Sequence, residues 1–277
     1  MTTRTEPENP AQRPTAHALR QAVAHGYQVF APNKLPGGLL DVCTHCCMDP
    51  ELERQMHRLP LRQLTARHFF AYGDTAKSLV QPSAELRYLL PRLLELLAEG
   101  ATLRHSTALI LDRLGNCPRD ELTQAQWQAI DQFALAFFDH VLAHYPWERR
   151  GSIASNAFEY LLMFDIGGID IDPLLHHWLN LATPQATLQY LDASYLDFWH
   201  DGGAITSAFA EDRPAYRARM TEWLMHPSHR RLFATRLLAI DLSRIEGSKK
   251  WSTGVAMNPQ QALDYVFDCI TANLDAP

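Results

Sequence analysis

The chain is predicted to fold as an all-α protein, a multi-helix array of packed antiparallel helices with a solenoid-like stacking of hairpins as one form of it. Three observations predict this. Apolar residues recur at spacings of three and four along most of the chain, which lines one face of a helix. Cap residues followed by proline mark many segment starts. No run of alternating apolar and polar residues is long enough to build a sheet. The 277 residues, 47 % hydrophobic and 20 % charged, suffice for a large folded core.

The elements follow in order. Residues 1–13 are polar and proline-punctuated and read as a flexible tail ahead of one helical domain over 14–277, with a candidate subdivision near 146–172. A helix is expected over 16–30. Pro32, Pro36, Gly37 and Gly38 break it. Asp49-Pro50-Glu51 starts the next helix, and Pro60 stops it near Leu59. A longer helix is expected over 61–80, with Gly73 as its weak point.

Leu86, Leu89, Leu90, Leu93 and Leu97 then mark a helix that Gly100 ends. Pro91 within it implies either a kink or a start near Leu90. Another helix is expected over 103–114. Thr123 and Gln126 match a capping box, with Leu122 and Trp127 at the staple positions. Trp127, Ile130, Ala134, Phe137, Phe138 and Val141 then form the strongest apolar stripe in the chain. Further helices are expected over 153–164, 173–181, 184–199, 214–225 and 227–242. Asn258-Pro259 opens the last one, with Gln261 at a capping-box position.

The formal net charge of -6 gives no global field for phosphate backbone, so nucleic acid is not an expected partner. The basic pairs Arg149-Arg150, Arg230-Arg231 and Lys249-Lys250 read as solvated surface. No stretch reaches the 18 or so apolar residues of a membrane span, and the first residues lack the apolar core of a secretory signal. Cytoplasm is therefore the expected location. There, thiols or metal ligands are expected of cysteines rather than structural disulfides.

The chemical signal is Cys43-Thr44-His45-Cys46-Cys47, three of the five cysteines within five residues. Thiolates and neutral imidazoles are good zinc ligands, and C-x2-C lets two sulfurs approach one ion across a tight turn. Cys43, Cys46 and Cys47 are thus candidate metal ligands, with zinc the candidate cofactor. His57 and His68 are the nearest downstream candidates for a fourth ligand. No second ligand pair follows at ordinary spacing, and the strand-to-helix context of a redox C-x2-C is missing. Packing of a cysteine-rich turn is the plain alternative, and Cys117 and Cys269 read as small buried hydrophobes.

The segment Cys43-x2-Cys46-Cys47-Met48, with Pro60-Leu61 and then Leu90-Pro91-Arg92-Leu93-Leu94-Glu95-Leu96, resembles a pattern in uncharacterised bacterial helical proteins. The resemblance covers the first third of the chain. It implies a bacterial source and brings no activity with it.

Other polar groups have plain readings. Asp165, Asp170 and Asp172 around Gly167-Gly168 do not match a calcium loop, and Asp172 reads as a helix cap. His176-His177, His200-Asp201 and His226-Pro227-Ser228-His229 lack a nucleophile beside them. Phosphate-loop, dinucleotide-binding, H-E-x-x-H and G-x-S-x-G signatures are absent. The tryptophans are expected to pack the helices or to line a peptide-binding groove. The expected function is a protein-interaction or regulatory scaffold with a protein or peptide partner. The alternative is a metal-dependent or thiol-dependent enzyme using the Cys43–Cys47 turn.

Overall fold

A computed structural model describes residues 13–31, 33–35, 37–145, 156–242 and 258–274. The expectations for the tail, for Trp147 and Trp251, for Arg149-Arg150 and Lys249-Lys250, and for the first candidate boundary lie wholly or mostly outside them. Among the described residues the fold is all-α. The helices are α1 (Arg13–Phe30), α2 (Pro50–Arg58), α3 (Ala66–Asp74), α4 (Ser83–Ala98), α5 (Asp112–Gly115) and α6 (Gln124–Ala143). They continue as α7 (Ala157–Ile166), α8 (Asp172–Asn180), α9 (Pro184–Ser194), α10 (Pro214–Met225), α11 (Pro227–Leu238) and α12 (Pro259–Thr271). No strand occurs among the described residues.

Caps and breakers set most helix ends as their chemistry requires. Asp49 accepts the Glu51 N–H at 2.8 Å and Pro50 takes the first helical position of α2. Thr123 and Gln126 form a reciprocal capping box at α6. α4 runs through Pro91 as one helix, with Pro91 buried on its core side. It ends at Gly100, whose φ of +72° suits a residue without a Cβ. The Gly100 and Ala101 N–H groups then bond back to Leu97 and Leu96.

Two expected helices are broken. Over 61–80 a 3₁₀ turn (Leu61–Gln63) precedes α3, because Thr65 takes the cap position, and α3 stops at Asp74. Over 103–114 there is only a 3₁₀ turn (Thr107–Leu109) and the short α5. The Arg104 guanidinium bonds the Leu109 carbonyl across that stretch and holds it as a loop. The expected helix over 184–199 is α9 followed by a π turn (Tyr195–Trp199). α11 ends at Leu238, short of 242.

α6 is the central element. α1 lies along it on one side, and α7, α8 and α9 pack on it as well. Phe133, Ala134, Phe137, Phe138 and Val141 on α6 are essentially inaccessible. The aromatic core continues through Trp178 to Trp223 and through Tyr190, stacked on Phe233 at 3.7 Å. Trp127, Trp178, Trp199 and Trp223 are all buried and pack the core, and Trp223 also lines a groove between α8 and α10. Gly115 lies against α7 so closely that a Cβ there would meet the Ile166 carbonyl oxygen. Arg230 departs from its expected surface role. It is buried and donates to the Ile270, Cys269 and Ala272 carbonyls at the end of α12. Among the described residues no helix is long and apolar enough to cross a membrane.

Candidate metal centre

The cysteine turn is built between two buried anchors, Leu40 and Met48. The chain closes on itself there: the Cys47 and Met48 N–H groups both donate to the Cys43 carbonyl, at 3.3 and 3.0 Å. Cys43 is pinned from outside as well. Its N–H is shared by the Thr75 hydroxyl at 2.9 Å and the Ala76 carbonyl at 3.1 Å. The turn therefore rides on the segment that follows α3.

A layer of buried polar groups holds that segment. Arg113 donates to the Tyr72 and Asp41 carbonyls and to the Gln81 side chain, and its guanidinium lies over the Tyr72 ring at 3.9 Å. Asp41 accepts from the Ser78 N–H and hydroxyl and from Gln81. Glu85 accepts the Asp41 N–H at 2.8 Å and the Tyr72 hydroxyl at 3.1 Å. Burial raises the pKa of its carboxyl. Glu53 of α2 accepts the Leu40 N–H at 3.0 Å. Four elements thus fix the backbone on both sides of the cysteines.

On this platform the three sulfurs converge. The Cys43 and Cys46 Sγ atoms are 3.4 Å apart, and those of Cys46 and Cys47 3.3 Å apart. All three lie within 4.8 Å of one another, so they are close enough to bind one metal ion. Cys46 and Cys47 are exposed and Cys43 is half-buried. Hydrogen bonds from the Cys46 backbone N–H, the Cys46 thiol and the His45 N–H lower the Cys43 thiol to about 7. Hydrogen bonds to the Cys47 and Cys43 sulfurs, with their charge, push Cys46 up to about 12.

The candidate histidines lie elsewhere. His68 is buried; its Nδ1 accepts the Thr65 N–H at 3.0 Å, so Nε2 carries the proton toward the Gln55 carbonyl oxygen. Burial, then the nearby Arg67 charge, lowers its pKa, consistent with a neutral ring that caps α3. His57 pairs with Glu53 at 3.7 Å. Neither belongs to the sulfur group, and nor does the exposed His45. Thr75, Ala76, Glu85 and Arg113 support the site without any sequence signal, because each reaches it from a distant part of the chain.

The remaining polar groups are taken up structurally. Asp165 pairs with Arg213 at 2.6 Å, and Asp170 and Asp172 pair with Arg219 at 3.1 and 3.3 Å. His177 bonds Asp139 at 2.7 Å, and His229 donates through Nδ1 to the Trp223 carbonyl. Cys117 is buried and Cys269 half-buried. A groove of about 1110 Å³ runs between α1 and α4; its Glu95 is shared by Tyr27, Arg62 and Arg92.

No protein-family model, curated protein or solved structure matches the chain. The C-x2-C-C segment thus stands on its own residues and geometry.

Proposed function

We propose that this protein binds zinc through the Cys43, Cys46 and Cys47 thiolates, leaving a fourth coordination position open. The observation that carries the reading is the convergence of three sulfurs within 4.8 Å on a backbone fixed from outside the turn. Thiolates suit zinc in softness, and three protein ligands with one open position leave room for an exogenous ligand. Elemental analysis of untagged, reduced protein tests it. About one zinc per chain is expected in the wild type, and its loss in Cys46→Ser and Cys47→Ser. Less than about 0.1 zinc per chain in folded protein after zinc loading would overturn the reading.

A second reading, an interaction scaffold, is favoured by a specific surface. Leu39, Leu79 and Val80 are 81 %, 94 % and 63 % exposed. Ser78 bonds Asp41, so these residues share one edge with the cysteine turn. Large apolar side chains held out from a pinned backbone suit a protein or peptide contact. A photo-reactive residue at position 79 should cross-link one defined partner, and Val80→Lys should abolish the product. Labelling no stronger than from an exposed control position counts against it.

A further inference from the structure

Two of the three sulfur–sulfur separations are narrower than a tetrahedral zinc provides, both of them at Cys46. Two sulfurs on a tetrahedral zinc, each about 2.3 Å from the ion, stand roughly 3.8 Å apart, whereas right-angle bonds of that length bring them to about 3.3 Å. The Cys43–Cys46 and Cys46–Cys47 separations here are 3.4 and 3.3 Å, and the third pair lies within 4.8 Å. Bond angles that close toward a right angle belong to trivalent ions with a lone pair, of which arsenic(III) and antimony(III) are the thiol-seeking members. Such an ion takes three thiolates and needs no fourth ligand. The group at this turn holds three sulfurs and no nitrogen or oxygen donor, and the described residues hold no other group of this kind.

We infer that Cys43, Cys46 and Cys47 form a three-thiol site for trivalent arsenic or antimony, entered as the neutral hydroxide. The inference rests on the reading that the three sulfurs act as one ligand set. The step is a condensation without redox change. Each thiol gives its proton to one hydroxide of As(OH)₃, three As–O bonds break, three As–S bonds form, and three waters leave. The exposed Cys46 and Cys47 meet the ion first, and the half-buried Cys43 closes the set from a backbone that Thr75 and Ala76 already hold. Little ordering then accompanies closure of the third bond, because the chain there is fixed before the ion arrives. Zinc binding requires the Cys46 sulfur to draw back from both of its neighbours.

Titration of the full-length reduced protein with sodium arsenite tests this, followed by X-ray absorption at the arsenic edge. One arsenic per chain with three sulfur neighbours is expected, and prior zinc loading should be reversed by arsenite. Cys43→Ser, Cys46→Ser and Cys47→Ser should each weaken arsenite binding at least ~100-fold, since the third bond is an intramolecular one. A circular dichroism melt of each variant separates lost ligation from lost folding. Arsenic held by two sulfurs, or equal binding by Cys43→Ser, overturns the three-thiol site and leaves the zinc reading in place. Zinc binding without arsenite binding does the same. Failure of both ions to bind folded protein overturns both readings.

Discussion

The platform under the cysteine turn and the aromatic core beyond α6 keep their shape by opposite means. Behind the turn, Arg113, Gln81, Glu85 and Glu53 are buried polar side chains, and Arg113, Glu85 and Glu53 each hold backbone of the 40–43 or 72–81 segments. Beyond α6, Trp178 packs among Phe138, Phe158, Tyr190, Trp223 and Phe233. Apolar packing there is non-directional and tolerates small adjustments of position. Hydrogen-bonded charge is directional and fixes a loop at a point. Loops that must present side chains need the second device, because they lack a helix ladder of their own.

The comparison breaks first under truncation of the aromatic core. Trp178 is fully buried and its indole N–H donates to the Ala186 carbonyl at 2.9 Å. Trp178→Ala should destabilise the fold by about 3–5 kcal/mol through lost burial and the cavity left behind. Urea unfolding followed by circular dichroism measures this. A loss under about 1 kcal/mol would mean that the surrounding helices collapse into the space, and that this half is as plastic as a loop.

Arg113→Met is the matching change on the other side. It leaves the Tyr72 and Asp41 carbonyls and the Asp41 carboxylate without their cation. A loss of about 3 kcal/mol is expected, with faster hydrogen exchange at Cys43, Ser78 and Leu40. Unchanged exchange at those amides would show that the turn holds itself and that Arg113 serves only the packing of α5.

How much of this was visible in the sequence follows the same division. Helices with local caps, such as α2 with Asp49-Pro50 and α6 with Thr123 and Gln126, were legible because cap and helix are adjacent. The helices expected over 61–80 and 103–114 failed where side chains bond backbone or cap positions inside the expected segment or just beyond it. The Thr75 hydroxyl just past α3 is bound to Cys43, and Arg104 bonds the Leu109 carbonyl. The cysteine trio could be seen, but its support could not, since Thr75 lies 32 residues from Cys43 and Arg113 lies 72 from Asp41. Two histidines near in sequence proved to be engaged elsewhere, His68 in capping α3 and His57 with Glu53.

The seam between the halves gives a smaller, pH-dependent test. His140 on α6 bonds Thr15 of α1 at 3.2 Å. Burial first, then the neighbouring His144, lowers its pKa to about 4. The folded ring stays neutral while the unfolded one protonates below about 6.5. Its contribution is therefore full above pH 6.5 and is lost as the pH falls toward 4. After allowance for its partial exposure this is about 1–2 kcal/mol. His140→Gln should flatten the urea midpoint between pH 6.5 and 4 by that amount. An equally steep decline in the variant would place the acid sensitivity at other buried groups.

The smallest effect on stability, and the sharpest on chemistry, is expected at the turn itself. The groups that lower Cys43 to about 7 are the Cys46 backbone N–H, the Cys46 thiol and the His45 N–H, all fixed by the fold of the turn. The Cys46 thiol stands at about 12, held up by its two sulfur neighbours. Iodoacetamide attacks the thiolate, so alkylation of Cys43 should rise through about pH 7 and level above it, while Cys46 stays unreactive up to far higher pH. Peptide mass spectrometry reads the two rates separately. In urea the preference should vanish, with both thiols titrating near the free value of about 8.5. In Arg113→Met the Cys43 transition should move up toward that value, because a turn released from its platform no longer aims its N–H groups at one sulfur. If Cys43 and Cys46 titrate together in the folded wild type, the turn is not preorganised, and the contrast between a fixed loop and a packed core does not extend to the sulfurs.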